Sequence, residues 1–556
     1  MSLDQAIARY EAGDRAGAKA LADKDSSPGA LHLRAVIAQD EGRQPEAEAL
    51  IRDALAREPA NPLYWNTLGN GLLAQGRSDE AVSAFKRAHD ALPEQPDILF
   101  NLANAQRAAG LLKDAVESYQ ETIAKAPGHV GAYNNLALVL KASGDVESAA
   151  TVLIEAIAQA PKSAELRFNL GNALHAAGRL GAAEAAYRKA IELAPQHADA
   201  HANLGAVLAD AGDKAGARIA FERAIALNPG LVPAYVGLAD LADDGSWDAI
   251  AHRRAVLALN PKLAPVRSSL LMCMQYAPVS HEALFDEHRS FGAMHTGSDR
   301  PAYSAHHDFS PKRRLKLGVV SGDFRFHAML FFALPVFDAR DKNDVELYCY
   351  SNTARPDRYT QDFRDSTDHW RDVRSLSDED LTALIVRDGI DVLIDLSGHA
   401  PHNRLLTFAA RPAPLQIAWG DYVDTRGLAA IDLLFGDPIH TPASEDRYFV
   451  ERVARFAPDY VCYRPPPYTP PVASTPALAN KFVTFGSFSE VTKIGAASVA
   501  RWAAVLKAIP SARFLLNGYL FADGTRSGRV LSMFMDAGID PSRVQFETGG
   551  MHHDFL

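Results

Sequence analysis

Residues 101–134 read NLANAQRAAGLLKDAVESYQETIAKAPGHVGAYN, and at residue 135 the pattern restarts with another Asn-Leu-Ala. The 34-residue step runs in both directions from this stretch: Pro59, Pro93, Pro127, Pro161, Pro195 and Pro229 keep it, and so do Gly42, Gly76, Gly110, Gly144, Gly178 and Gly212. Within each period Leu68, Leu102, Leu136, Leu170, Leu204 and Leu238 share one site, and Ala81, Ala115, Ala149, Ala183 and Ala217 share a second. Phe85, Tyr119, Leu153, Tyr187 and Phe221 follow the alanines by four residues, one helical turn along the same face. Small against large at fixed offsets lets two helices pack closely. The glycine fits the turn between them, where a positive φ costs it little, and the proline ends the second helix.

A fixed 34-residue helix–turn–helix period is the mark of a tetratricopeptide array. The array is expected over residues 1–262. A weaker unit spans roughly 25–58 and keeps Gly42, Ala47 and Pro59, a degenerate one surrounds Gly13 and Ala18, and another runs from Trp247 to Pro261 with a shortened step. Atypical ends suit capping repeats. One column does not read as core: Asn101, Asn135, Asn169 and Asn203 recur in register, with Thr67 at the matching site before them. Asparagine is a poor helix former, so four in a row need a reason. A row of amides, each donor and acceptor, suits gripping the backbone of an extended protein substrate; the alternative is hydrogen bonding between repeats that only fixes the superhelix.

At 556 residues the chain exceeds one core. A net charge of −11 argues against nucleic acid as a partner. Cys273, Cys349 and Cys462 are too far apart for a metal knuckle or a disulfide framework, and Cys349 and Cys462 are expected in the core. The N-terminus, MSLDQAIARYEAGDRAG, has no signal-peptide apolar region, and no run of about 18 apolar residues suggests membrane insertion. A cytoplasmic setting is expected.

Residues 263–312 read as a helical connector. Beyond it the period changes. LKLGVVSGDF (315–324), VELYCYS (345–351), IDVLIDLSG (390–398) and LAAIDLLFGD (428–437) read as strands, and SDEDLTALIVRDG (377–389) as a helix with a Ser cap and a Gly stop. Strands alternating with helices predict a parallel, doubly wound sheet over 313–463, with ligands at the C-terminal strand ends. Asp323, His327, Asp395 and His399 fall there. RPPPYTPPVASTPALAN (464–480) is a linker, and KFVTFGSF (481–488), ARFLLNG (512–518) and RVQFETG (543–549) begin a second Rossmann-like unit over 481–556. An α-solenoid followed by two such α/β units predicts a GT-B glycosyltransferase architecture.

Several segments carry a resemblance: SGDFRFH (321–327), DLSGHAPHNRLLTFAARPAPLQIAW (395–419), DRYFVERV (446–453), YVCYRPP (460–466), FVTFGSFSEVTKI (482–494) and the helical EALFDEHRSFG (282–292). Together with the repeats they resemble the O-GlcNAc transferase/SPINDLY family of protein O-glycosyltransferases. The resemblance implies inverting, metal-independent transfer of a sugar from a nucleotide donor, as co-substrate, to Ser or Thr of a protein acceptor. By that resemblance His327, His399 and Asp395 are the catalytic candidates, Lys493 meets the donor phosphate, and Glu490 and Gln416 belong to the donor side. His402, Arg404 and Gln416 also admit the plainer role of holding the loop.

The chain departs from the family pattern in places. Asp421, Val423 and Asp424 stand where the family's turn carries Gly, Pro and Gly; Phe331 stands where a second histidine is common, and Glu490 where a glutamine is common. Two extra carboxylates in the cleft are expected to alter what fits. The donor is therefore left between UDP-GlcNAc or another nucleotide hexose and a CMP-activated nonulosonic acid such as pseudaminic acid, with flagellin as acceptor in the second case. The sequence reaches HHDFL (552–556) partway through the second unit, which reads as a truncation or a reduced donor domain; His552 and His553 are not read as metal ligands. The alternative to an enzyme is a repeat scaffold or adaptor with an inactive transferase domain.

Overall fold

The computed structural model describes residues 2–242, 246–296, 301–303, 307–310, 312–420, 422–522 and 524–548. They form two compact units, Met1–Gly237 and Leu238–Leu556.

The first unit is a run of paired antiparallel helices, from Ser2–Glu11 with Arg15–Ala22 to Ala198–Asp210 with Lys214–Leu227. The glycines that mark the period, with Gly13, hold φ between 72° and 89°, the left-handed turn the sequence requires of them. Ala81, Ala115, Ala149, Ala183 and Ala217 are fully buried, and the large residues one turn later are 0–3 % exposed. Gly171 shows how tight the packing is: a Cβ there would stand 2.5 Å from the Tyr187 ring.

The asparagine column makes a directed ladder. Each amide donates to the preceding repeat at 2.5–3.1 Å: Asn101 to Asn66, Asn135 to Asn104, Asn169 to Asn134 and Asn203 to Asn172. The acceptor alternates for a reason written one residue before the column. Where that site is polar (His32, Asn66, Asn134) the ladder residue bonds to it, His32 meeting Thr67 at 2.8 Å. Where it is Phe100 or Phe168, the amide moves to Asn104 or Asn172. The same two asparagine oxygens accept from the buried hydroxyls of Tyr119 (2.6 Å) and Tyr187 (2.7 Å). Phe100 then packs 4.5 Å from the ring of His129, and Phe168 4.7 Å from that of His197. From Asn66 to Phe168 the array thus alternates with twice the first period. Half-buried amides keep donors and acceptors beyond these bonds.

The second unit opens with helices Trp247–Leu259, Ala264–Tyr276 and His281–His295. Seven parallel strands follow: β1 Leu315–Ser321, β2 Val345–Ser351, β3 His369–Asp372, β4 Val392–Asp395, β5 Leu415–Ala418, β6 Leu433–Gly436 and β7 Arg452–Arg455. Their order is β3-β2-β1-β4-β5-β6-β7, so the winding reverses between β1 and β4, where an open α/β sheet makes its ligand crevice. Val320 lies opposite Asp395 across that pair. A second parallel sheet, order β10-β9-β8, comprises β8 Thr484–Ser487, β9 Arg513–Asn517 and β10 Val544–Glu547, with a core around Leu506, Phe514, Leu516 and Phe534.

The helix Asp378–Asp388 ends as read, with the Ser377 hydroxyl accepting from Asp380 N and Gly389 at φ 68°. Strands β3, β5 and β7 escaped the sequence reading: β3 (HWRD) and β7 (RVAR) have no apolar run, and β5 (LQIA) is broken by a glutamine. Cys349 is in the core, where burial pushes its thiol up to about 12. Cys462, expected there too, is exposed, because it lies in the irregular segment that follows β7 rather than in a strand. No helix among the described residues is long and apolar enough to cross a membrane.

Replacing Asn172 by Ala strands the buried Tyr187 hydroxyl and the Asn203 amide together. The expected cost is about 1–3 kcal/mol. In a quasi-linear array this loss stays local, so hydrogen exchange should speed up about tenfold or more in Ala164–Ala176 and Leu180–Leu193 and little in Pro62–Ala74.

Candidate active site

The segment after β1 turns through Gly322 and Asp323 into the helix Ala328–Ala339. The amide of Gly322 donates to Ser397 Oγ (3.2 Å), which fastens this turn to the one after β4. His327 is the N-cap of the helix: its Nδ1 faces Met329 N at 3.5 Å, and the ring is half-buried. Asp323 accepts from Arg325 Nε at 3.0 Å.

The turn after β4 is built around Asp395, which is 1 % exposed. Oδ1 accepts from Ser397 N and Gly398 N, and Oδ2 from Arg426 Nε at 2.8 Å. Arg426 is wholly buried. Its Nη1 donates to the carbonyls of Tyr422 and Asp424, and its amide to Glu451 Oε1 at 2.8 Å. Glu451 also takes the Thr425 hydroxyl, and burial raises its pKa. Arg426 and Glu451 were missed from sequence because arginine and glutamate in a loop normally read as surface.

His399 is 1 % exposed and both ring nitrogens are engaged. Nε2 faces the carbonyl of Arg426 at 3.1 Å, which only accepts, so Nε2 carries the proton and Nδ1 accepts from Ser268 Oγ at 2.9 Å. Burial first, then the nearby His288 and the Arg426 charge, hold its pKa well below the ordinary imidazole value. His288 donates from Nδ1 to Leu284 O and accepts at Nε2 from the Tyr422 hydroxyl (2.7 Å); burial lowers it to about 4. Phe291 closes the cluster, 4.7 Å from the His399 ring. The helix His281–His295 reaches this loop because Gly292 meets it: a Cβ there would fall 1.9 Å from Gly427 O. His288 and Ser268 lie outside the motif that drew attention to His399, and no spacing links them to it.

Gln416 is fully buried, and its Nε2 donates to the carbonyls of Phe408 and Ala430 at 2.9 and 2.8 Å. His402, at φ 63°, gives its carbonyl to Asn352 Nδ2, and Arg404 donates to Val373 O. These three thus have loop-holding contacts. Asp424 is not presented to a cleft: its carboxylate accepts from Gln275 Nε2 at 2.9 Å and burial raises its pKa. Asp421, the other expected carboxylate, lies outside the described residues, as do His552 and His553. Lys493, on the 3-10 turn Val491–Lys493, and Glu490 are both exposed on the unit of the second sheet. Among the described residues no cluster of three or more His, Cys, Asp or Glu is placed to hold a metal.

Residues 288–462 match the profile of glycosyl transferase family 41. Tetratricopeptide profiles match 28–53, 66–130, 134–198 and 180–232. A solved variant of the Thermobaculum terrenum O-GlcNAc transferase is 30% identical, covers 77% of this chain and 75% of its own, and superposes with a TM-score of 0.52. The chain belongs to this family. Its relatives include proteins described as probable UDP-N-acetylglucosamine–peptide N-acetylglucosaminyltransferase SPINDLY. The one from Solanum lycopersicum is 31% identical over 293 residues, 52% of this chain and 32% of the relative. That from Arabidopsis thaliana is 30% identical over 292 residues, again 32% of the relative. The chain thus spans about a third of the length of these relatives. The family 41 match includes His288, His327, Asp395, His399, Arg426 and Glu451, while Glu490 and Lys493 lie beyond it.

Two consequences are measurable. Below about pH 6.5 an unfolded chain takes up protons on His288 and His399 that the folded chain refuses until far lower pH, about 4 for His288. Stability is therefore complete above pH 6.5 and declines as pH falls from 6.5 towards 4, by up to about 3 kcal/mol for His288 alone. Thermal melts across this range should show the decline, and His288→Phe should flatten it. Arg426→Met leaves Asp395 charged and unpaired, with an expected loss of about 3–5 kcal/mol in urea unfolding; adding Asp395→Asn should recover part of it.

Proposed function

We propose that the protein is a protein O-glycosyltransferase that moves a sugar from a nucleotide donor of the UDP-GlcNAc kind to a Ser or Thr hydroxyl of a polypeptide captured by its repeats. The observation that carries the reading is the family 41 match over residues 288–462, laid on a sheet whose switch point presents a half-buried imidazole, His327. The descriptions of the relatives as UDP-N-acetylglucosamine–peptide N-acetylglucosaminyltransferases support a UDP-GlcNAc donor.

In the step proposed, the acceptor oxygen forms a bond to the anomeric carbon while the bond from that carbon to the phosphate oxygen breaks. The electron pair leaves with the phosphate, and the hydroxyl proton passes to His327. That imidazole is favoured over His399 because its Nε2 has no bond among the described residues, whereas both nitrogens of His399 are spent within the fold. An imidazole is suited to proton transfer near neutral pH. Lys493 offsets the charge that builds on the leaving phosphate. Asp395 acts through Arg426 and the turn they hold, as a positioning group. The asparagine ladder keeps amide capacity beyond its own bonds for the acceptor backbone.

Incubation of the protein with candidate acceptors and UDP-GlcNAc, followed by intact-mass spectrometry, should show the gain of one N-acetylhexosamine. His327→Ala should lower the rate by a factor of about 10²–10⁴, the usual contribution of a general base. A mass gain only with a CMP-nonulosonic acid, for instance on flagellin, would move the donor to that class. No gain with any donor would leave a binding scaffold. Melting-temperature shifts with UDP, CMP and GDP rank the donors independently of turnover.

A further inference from the structure

Around His327 lies an aromatic surface that the proposed chemistry does not use. Phe326 precedes it in the chain, and Phe331 lies on the first turn of the helix Ala328–Ala339. Phe326 stands 5.1 Å from the Tyr359 ring and 6.3 Å from that of Phe331. Tyr463 closes the other side, 6.5 Å from Phe331 and 5.9 Å from Phe332. Tyr463 comes from the segment leading to the linker and is held there by its neighbour: Arg464 N donates to Phe331 O at 3.0 Å, and its guanidinium pairs with Asp338 at 2.7 Å. Aromatic clusters usually form core, yet Phe326 is 38 % and Tyr463 58 % exposed. Contiguous exposed apolar surface marks a place where something binds.

The rim is cationic. Arg358 is exposed, lies 4.5 Å over the Tyr359 ring, and makes no ion pair among the described residues. The nearest acid in sequence, Asp357, is already turned inward on the amides of Phe326 (2.7 Å), Tyr359 (2.9 Å) and Thr360 (3.1 Å). Its charge is therefore largely offset where it stands, and the surface offers apolar faces edged by the Arg358 guanidinium, which makes no ion pair among the described residues and donates to the Tyr359 hydroxyl.

We propose that this surface is a specificity subsite for the acceptor polypeptide, taking an apolar or aromatic side chain next to the modified hydroxyl with an acidic residue beside it. The inference rests on the reading of His327 as the group that meets the acceptor. Two features favour a side chain over a nucleobase. The rings meet at 34°, 87°, 51° and 50°, a cup rather than a parallel slot for a flat base. They also belong to the unit of the first sheet, whereas Lys493, the phosphate candidate, belongs to the second.

The test uses the full chain without donor and three fluorescein-labelled peptides differing at two positions. They are an Asp-Phe-Ser-Asp core, the same core with Gly for Phe, and the Phe core with Lys for Asp, each in a Gly/Asn frame. Fluorescence anisotropy should rank the first tightest, on the order of tenfold over the Gly peptide, as expected for burial of one ring. Phe326→Ser and Tyr463→Ser, both exposed positions, should each shrink that ratio towards one. Arg358→Glu should reverse the preference for Asp over Lys. Equal affinity for the Phe and Gly peptides, or a ratio that survives both serine variants, would overturn the proposal. So would a loss of UDP or CMP binding in those variants with peptide binding intact, which would make the surface a base platform. Because no sugar is transferred in this experiment, its failure is separate from a failure of the glycosyltransferase reading, which the mass measurement decides.

Discussion

The candidate site depends on one buried ion pair. Arg426 has no exposed surface and Asp395 almost none, and they meet at 2.8 Å. Neither is tolerable alone, since an uncompensated charge in a protein interior costs several kcal/mol. Around this pair the chain arranges two turns. Asp395 gathers the amides of Ser397 and Gly398, while Arg426 gathers the carbonyls of Tyr422 and Asp424 and lends its own carbonyl to His399. Such a pair contributes less to stability than to specification. A hydrophobic substitute would pack, but it would not dictate which carbonyls and amides face one another.

That arrangement engages the two motif histidines to different degrees. His399 sits inside the matched segment, yet its nitrogens serve Ser268 and Arg426, tying a preceding helix to the sheet. His327, with a weaker cap contact at 3.5 Å, keeps a partly open ring. The departure from the family's turn also reads differently in three dimensions. Asp424 faces Gln275, so its carboxylate fastens the helix Ala264–Tyr276 to the loop that His288 of the next helix also meets through Tyr422.

In the repeats a similar economy operates. The ladder amides bond between repeats with one hydrogen and retain the other, so fixing the superhelix and gripping a backbone are compatible uses of one column. The switch of acceptor at Phe100 and Phe168 follows from size: a ring in place of a polar residue removes the nearer oxygen, and an asparagine one turn on supplies another, shared with a tyrosine hydroxyl. Helix boundaries, the left-handed glycines and the buried alanine column were legible because each is a local requirement repeated many times. Strands β3, β5 and β7 were not legible, because HWRD and RVAR lack an apolar run, LQIA is broken by a glutamine, and their partners lie far along the chain.

Sequence alone determined the array, its turns, the more apolar strands, the helix between Ser377 and Gly389 and the identity of the strand-end segments, since spacing and local backbone preference suffice for these. Tertiary structure alone decided that Gln416 faces two carbonyls, that Cys462 is exposed, that Arg426 neutralises Asp395, and that of two motif histidines one is sealed and one is partly open. Burial and hydrogen-bond partners depend on residues more than a hundred positions away, as between Ser268 and His399, and no local pattern records which distant group fills a side chain's remaining valence.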